Sequence, residues 1–188
     1  MGNEYFGLPP ALASWLCARA PQRLAIETGT SRGQTAQVLA QCFERVITIE
    51  RSLDLAREAA SSVRAASPSS RVSVVCGNSA DLLFTLLPQI KEPAVFWLDS
   101  HWFPLVGVDS RPQCSILREL EAIRAWRFHQ DSIVLVDDMH LFDQVPDLPG
   151  YRPHEWPTRF DLDSEVLTWD KSSVAQRGDV MIISPVDF

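Results

Sequence analysis

Apolar residues occur along this chain in two alternating patterns. Short, near-continuous runs rich in β-branched and aromatic residues each finish at an acid or amide. They are Arg23 to Thr28 with Glu27, Arg45 to Glu50, Arg71 to Cys76 leading into Gly77-Asn78-Ser79, Ala94 to Asp99, and Ser132 to Asp138. Between them apolar positions recur every three or four residues. This happens over Thr35 to Phe43, after Ser52 (Leu53, Leu55, Ala56, Ala59, Ala60, Val63), through Leu82, Leu83, Leu86 and Leu87, and from Ile116 to Trp126 with Leu117, Leu120, Ile123 and Ala125. The first pattern is that of strands covered on both faces, the second that of amphipathic helices. Their alternation predicts an α/β fold, a doubly wound and mostly parallel sheet. Pro9-Pro10 introduces an apolar helix from Ala11 to Ala18, predicted to cover one face of that sheet. Met139 to Arg159, with Pro146, Pro149, Pro153 and Pro157, reads as loop. A short helix over Leu162 to Trp169 follows, then a short strand at Val174 to Gln176 and a last, antiparallel strand at Val180 to Ile183. The whole reads as one domain over residues 1–188, with 1–22 as a covering helix and 139–160 as a proline-rich loop.

Composition narrows the function. At 188 residues and 46% hydrophobic content the chain is sized for one good core. Seventeen basic residues against 24 acidic ones leave a net charge of -7, and the basic residues are scattered singly. Nucleic acid is therefore not the expected partner, because phosphate binding needs clustered positive charge. No apolar run is long enough to span a membrane, and no secretory signal pattern opens the chain. Cys17, Cys42, Cys76 and Cys114 are far apart, without a C-x-x-C pair, and are expected to be small core residues. That expectation leads to a reducing, cytoplasmic setting.

The candidate chemistry sits at strand ends. In open α/β sheets ligands bind beyond the carboxyl ends of the strands, and here those ends carry Glu27, Glu50, Asn78, Asp99 and Asp137-Asp138. The first end is the most distinctive: Glu27-Thr28-Gly29-Thr30-Ser31-Arg32-Gly33, a strand, a tight turn and a helix start. Such a turn presents backbone N–H groups and lets a ligand approach closely. Glu50 lies 21 positions after Gly29, the spacing at which a carboxylate meets ribose hydroxyls. The glycines are spaced G-x-x-x-G rather than G-x-G-x-x-G, and an acid precedes them by two residues. A diphosphate would be repelled there, whereas the methionine ammonium of S-adenosylmethionine would be attracted.

These residues resemble motif I and its partner acid in class I S-adenosylmethionine-dependent methyltransferases, over the strand–helix order from about Arg23 to Ile183. The resemblance implies that Glu27, Gly29, Thr30, Ser31, Gly33 and Thr35 hold the methionine end of the cosubstrate. It places Glu50 and Arg51 by the ribose, and Asn78 and Ser79 by the adenine. Leu98-Asp99-Ser100-His101-Trp102 and Val136-Asp137-Asp138 are similar to the metal-bearing segments of cation-dependent O-methyltransferases, of the macrocin and catechol types. Three converging carboxylates repel one another unless a hard cation lies among them, so Asp99, Asp137 and Asp138 are expected to bind magnesium or a similar divalent ion. Asp99 also falls within the cosubstrate site.

The mechanism expected is chelation of two neighbouring oxygens of a small acceptor (a sugar, a catechol-like ring or a natural product), with His101 as base. His140 is the rival base. Trp102, Phe103, Pro104 and Trp156 are candidates for an apolar wall around the acceptor, while Trp97 and Trp126 are expected in the core. His129 and His154 are read as surface residues. Two other functions compete: a methyltransferase-like module that binds without chemistry, and a NAD- or flavin-dependent oxidoreductase. About 20 residues precede the first strand, which leads to an acceptor pocket that is open or completed by a second subunit in a homo-oligomer.

Overall fold

The computed structural model describes residues 7–66, 71–102, 112–144, 149–170 and 173–185. Seven strands among these form one sheet: β1 (Leu24–Thr28), β2 (Arg45–Glu50), β3 (Val72–Cys76), β4 (Ala94–Leu98), β5 (Ile133–Val136), β6 (Ser173–Arg177) and β7 (Val180–Ser184). Their order is β3-β2-β1-β4-β5-β7-β6. The pairs from β3 to β5 are parallel, and β7 runs antiparallel to both β5 and β6. The helices are α1 (Pro10–Arg19), α2 (Gln34–Cys42), α3 (Leu53–Ala66), α4 (Ser79–Leu86), α5 (Ile116–Arg124), the single turn α6 (His140–Asp143) and α7 (Arg159–Val166).

Strand alternation divides the core into two layers, because successive side chains of a strand point to opposite faces. Ile26, Phe96, Leu98, Val134, Val136 and Met181 join the layer under α4, α5 and α7. Ala25, Val46, Val95, Trp97, Leu135 and Ile182 join the layer under α1 and α2. The central strands β1, β4, β5 and β7 are buried at every residue, as their unbroken apolar runs predict. No residue of the edge strand β3 is fully buried, and Ser73 and Cys76 are exposed. Trp97 and Trp126 are core residues, as expected.

The helices depart from their predicted faces in two places. Leu53 is exposed at the first turn of α3, where the chain is still leaving the sheet edge, and only Ala56, Ala59 and Val63 are buried. On α5 Leu117 is exposed, and the buried stripe is Ile116, Glu119, Leu120, Ala122 and Ile123, with an acid in its middle. The proline-rich stretch is not all loop, since α6 and a 3-10 turn at Pro153–Glu155 lie within it. Helix α7 starts earlier than predicted because Thr158 and Asp161 form a reciprocal capping box.

The cysteines are a correction. Cys17 on α1 and Cys42 at the end of α2 form a disulfide, Cys76 is exposed and Cys114 half-buried. Sequence separation hid the pair, since α1 and α2 meet only when they pack on the same face of the sheet. The reducing setting inferred from the cysteines loses its basis. No helix of the described residues is long and apolar enough to cross a membrane.

Candidate active site

The turn after β1 is built around two glycines with left-handed backbones. Gly29 has φ 83°, and a Cβ there would lie 2.0 Å from the carbonyl oxygen of Asp99. The two chains therefore touch at a point where no side chain fits. Gly33, also at φ 83°, caps α2, its N–H donating to the Thr30 carbonyl at 2.8 Å. Thr30 bonds Thr48 of β2 through their hydroxyls. Ser31 lies between the glycines at φ 48° and donates its backbone N–H to Glu50 Oε2 at 2.9 Å. Glu50 Oε1 accepts from the Ser52 N–H at 2.8 Å, so this acid ties the turn to the start of α3. The hydroxyl of Thr35 is drawn away from the pocket, accepting the Leu8 N–H at 3.4 Å.

Glu27 is 1% exposed on the all-buried strand β1. Burial pushes its carboxyl up to about 8, against the hydroxyl of Thr48, which bonds it and pulls the other way; the negative charges of Asp99 and Glu50 push it further up. Its Oε2 is buried with no hydrogen-bond partner. A buried polar oxygen left without a partner is costly, and on ionisation this one becomes a buried negative charge that a cation would offset. Glu27 and the close approach at Gly29 thus lie together at the carboxyl end of β1.

Asn78 and Arg51 stand at the neighbouring strand ends. The Asn78 amide donates to Asp81 at 3.0 Å, and Arg51 donates to the Pro112 carbonyl at 3.2 Å, bridging the β2 end to the segment after β4. Ser79 points inward instead, to a residue the sequence reading missed. Glu119, fully buried on α5, accepts the hydroxyls of Thr28 (3.0 Å), Ser115 (3.0 Å), Ser79 and Ser100. One carboxylate therefore joins the ends of β1 and β4 to the starts of α4 and α5. An acid inside the apolar stripe of a predicted helix was the available signal.

At the ends of β4 and β5, Asp99, His101 and Asp138 come together. His101 Nε2 lies 2.8 Å from Asp138 Oδ2 and 3.3 Å from Asp99 Oδ1. Burial alone would lower the His101 pKa, but the two carboxylates hold it well above its ordinary value. At neutral pH, with nothing else bound, the ring is a cation and a donor. Burial opposes ionisation of Asp138 too, yet the bond and charge of His101 bring its pKa below the usual value. Asp99 is raised, mainly by burial. Asp137 Oδ1 accepts the Asp138 N–H at 2.9 Å, and burial with the charges of Asp99 and Asp138 pushes its carboxyl up to about 8. Asp99, His101 and Asp138 each offer a ligand atom within 4.8 Å of the others; Asp138, His140 and Asp179 form a second such group. Of the predicted trio, Asp99 and Asp138 are brought together with His101, and Asp137 is not part of either group.

Aromatic side chains close one side of this cluster. The Trp156 ring lies 5.5 Å from that of His101 and packs on Phe142 and Tyr151. Both Trp102 and Trp156 are buried, while Phe103 and Pro104 lie outside the described residues. Gln113, another residue the sequence did not flag, clasps the loop in place. It donates to the Gly150 carbonyl at 2.7 Å and accepts from the Arg152 N–H at 2.8 Å and from Trp156 Nε1 at 3.0 Å. A recess of about 300 Å³ beside Trp156 is lined by Phe142, Tyr151, Pro157 and Phe160. A second cavity of about 300 Å³, between Leu83, Leu87 and Trp126, lies among the far ends of α4 and α5, away from the strand ends that carry the acids. His154 is exposed, whereas His129 is half-buried and bonded to the Trp126 carbonyl at 2.8 Å.

Strand order, the antiparallel β7 and the glycine turn after β1 together make this the fold of class I S-adenosylmethionine-dependent methyltransferases. Solved structures with this fold include an O-methyltransferase from Bacillus cereus in complex with SAH, 20% identical, with a TM-score of 0.69 over 94% of this chain and 82% of that one. SAH-bound methyltransferase PaMTH1 from Podospora anserina is 17% identical, with a TM-score of 0.66 over 93% of this chain and 78% of that one. The O-methyltransferase TomG from Streptomyces achromogenes, involved in tomaymycin synthesis and solved with SAM, is 20% identical, with a TM-score of 0.65 over 93% and 78%. No protein-family model and no curated protein matches the sequence.

Proposed function

We propose that this protein is an S-adenosylmethionine-dependent O-methyltransferase acting on a small molecule with neighbouring oxygens. One observation carries the reading: the glycine turn suited to the methyl donor and the Asp99–His101–Asp138 cluster meet at Gly29 and the Asp99 carbonyl. Donor site and polar cluster are thereby adjacent, as methyl transfer between two bound molecules requires. The cosubstrate supplies an electrophilic methyl on a sulfonium. Glu27 would bind its ammonium, Glu50 and Arg51 would border the ribose, and Asn78 would border the adenine. A divalent cation at Asp99 and Asp138 would supply charge that favours an ionised acceptor hydroxyl. The aromatic recess beside Trp156 would seat the acceptor's apolar body and exclude water. A base role for His101 requires that its Nε2 be freed from the proton shared with the two carboxylates.

Calorimetry with S-adenosylmethionine and, separately, with NAD, each with and without magnesium, tests this reading. Binding of S-adenosylmethionine and not NAD is the expected result, followed by methyl transfer to a member of a sugar and catechol panel. Tight NAD binding alone would overturn it, and cosubstrate binding with no turnover across the panel would favour a non-catalytic module.

A further inference from the structure

The ends of β4 and β5 carry the same tripeptide pattern, Asp99-Ser100-His101 and Asp138-Met139-His140. Because β4 and β5 are adjacent and parallel, the two patterns are brought side by side. The result is a mixed nitrogen and oxygen donor set, not three carboxylates. Nε2 of His101 faces Asp138 at 2.8 Å and Asp99 at 3.3 Å. Its other ring nitrogen, Nδ1, lies 3.3 Å from the backbone carbonyl of Trp102. A carbonyl can only accept, so Nδ1 carries a hydrogen, and the proton on Nε2, facing two carboxylates, is the one a metal ion would displace. Three acceptors facing one another require a positive particle between them, either a second proton or a metal ion. An imidazole whose far nitrogen donates to a backbone carbonyl is the usual arrangement of a metal-ligating histidine. The Trp156 ring packed against His101 holds that orientation. Asp137, whose Oδ1 accepts the Asp138 N–H, is not among the residues whose ligand atoms group around His101.

We propose that His101 is a direct metal ligand, and that with Asp99 and Asp138 it selects a borderline transition cation of the zinc or cobalt class over magnesium. Imidazole favours such ions, whereas magnesium favours oxygen donors in a near-ideal octahedron. The inference rests on reading the acidic centre as a cation site and is independent of the identity of the methyl donor.

The test is calorimetric titration of chelator-treated protein with Zn²⁺, Co²⁺ and Mg²⁺, together with the visible absorption spectrum of the Co²⁺ form. Zinc and cobalt should bind at one per chain, at least about tenfold tighter than magnesium. His101→Asn should weaken zinc binding by at least about 10- to 100-fold, while His154→Ala, at an exposed histidine outside both ligand groups, should leave it nearly unchanged. Equal affinity for magnesium, an unaffected His101→Asn variant, or no binding of any cation would each overturn the proposal. If His101→Asn does not fold, proton NMR of the Co²⁺ wild type decides: a paramagnetically shifted, exchangeable ring N–H is expected, and its absence counts against ligation. Titrating S-adenosylmethionine into the same samples separates the two claims. Cosubstrate binding without metal binding leaves the methyltransferase reading standing and this one fallen; metal binding without cosubstrate does the reverse.

Discussion

At the residue scale, two groups in the turn make opposite kinds of prediction. A methyl group on Gly29 would meet the Asp99 carbonyl at 2.0 Å in a backbone conformation that already disfavours side chains. Gly178 also has a positive φ, yet a Cβ there meets nothing within 4 Å. Gly178→Ala should therefore cost only the conformational term, about 1 kcal/mol. Gly29→Ala should cost roughly 2–4 kcal/mol, because strain and overlap add, and should abolish cosubstrate binding; urea denaturation and calorimetry read the two effects. Glu27 gives the pH dependence. Its carboxyl ionises near its ordinary value of 4.5 when unfolded and is pushed up to about 8 when folded. Between those values the folded chain keeps a proton that the unfolded chain has lost. The stability linked to this group is thus full below pH 4.5, declines as pH rises towards about 8 and is level above. Relative to Glu27→Gln, the wild type should lose on the order of a few kcal/mol across that window. Cosubstrate affinity should move the other way, rising with pH up to about 8 with proton release, and Glu27→Gln should bind weakly at every pH. A wild-type binding constant flat over this range would remove Glu27 from the ammonium site.

At the scale of elements, Glu119 and Gln113 connect parts that the sheet leaves separate. Truncating Glu119 to Ala strands the buried hydroxyls of Thr28, Ser79 and Ser100, and should cost roughly 3 kcal/mol or more in a thermal or urea melt. Glu119→Gln keeps the shape with fewer acceptor positions and should lose less. If Glu119→Ala melts like the wild type, the carboxylate does not join the strand ends. The strands themselves were legible, because a strand covered on both faces must be apolar almost throughout and must stop where polar groups begin. The turn chemistry was legible for a related reason, since only glycine suits a close approach of two chains. Glu119 and Gln113 were not, for each binds residues distant in sequence: Glu119 lies 91 positions from Thr28, and Gln113 lies 43 from Trp156. Short-range periodicity carries no record of such pairings.

For the whole molecule, the disulfide between Cys17 and Cys42 ties α1 to the last residue of α2 across 25 residues, at the opposite end of α2 from the glycine turn. Closing a loop of that size should contribute about 3 kcal/mol. Reduction should lower the melting temperature accordingly, and Cys17→Ser should reproduce the shift without reductant. Under native, non-reducing conditions a thiol reagent should label Cys76 first. Cys114 should label slowly, because burial pushes its thiol up to about 12. Labelling of Cys17 and Cys42 in the native protein would show the bridge open.

By itself the amino-acid sequence determined the class of fold, the order of strands and helices, and the strand ends where chemistry collects. These follow from local rules: apolar periodicity, glycine conformation, and the exit of polar residues at the edge of a sheet. Only the tertiary structure decided which of those polar residues face one another. Asp99, Asp137 and Asp138 read as three equal carboxylates in sequence. Folded, His101 lies between Asp99 and Asp138, and one oxygen of Asp137 accepts the Asp138 N–H. Direction in space depends on backbone twist and on partners many residues away, and this chain's site chemistry rests on that direction.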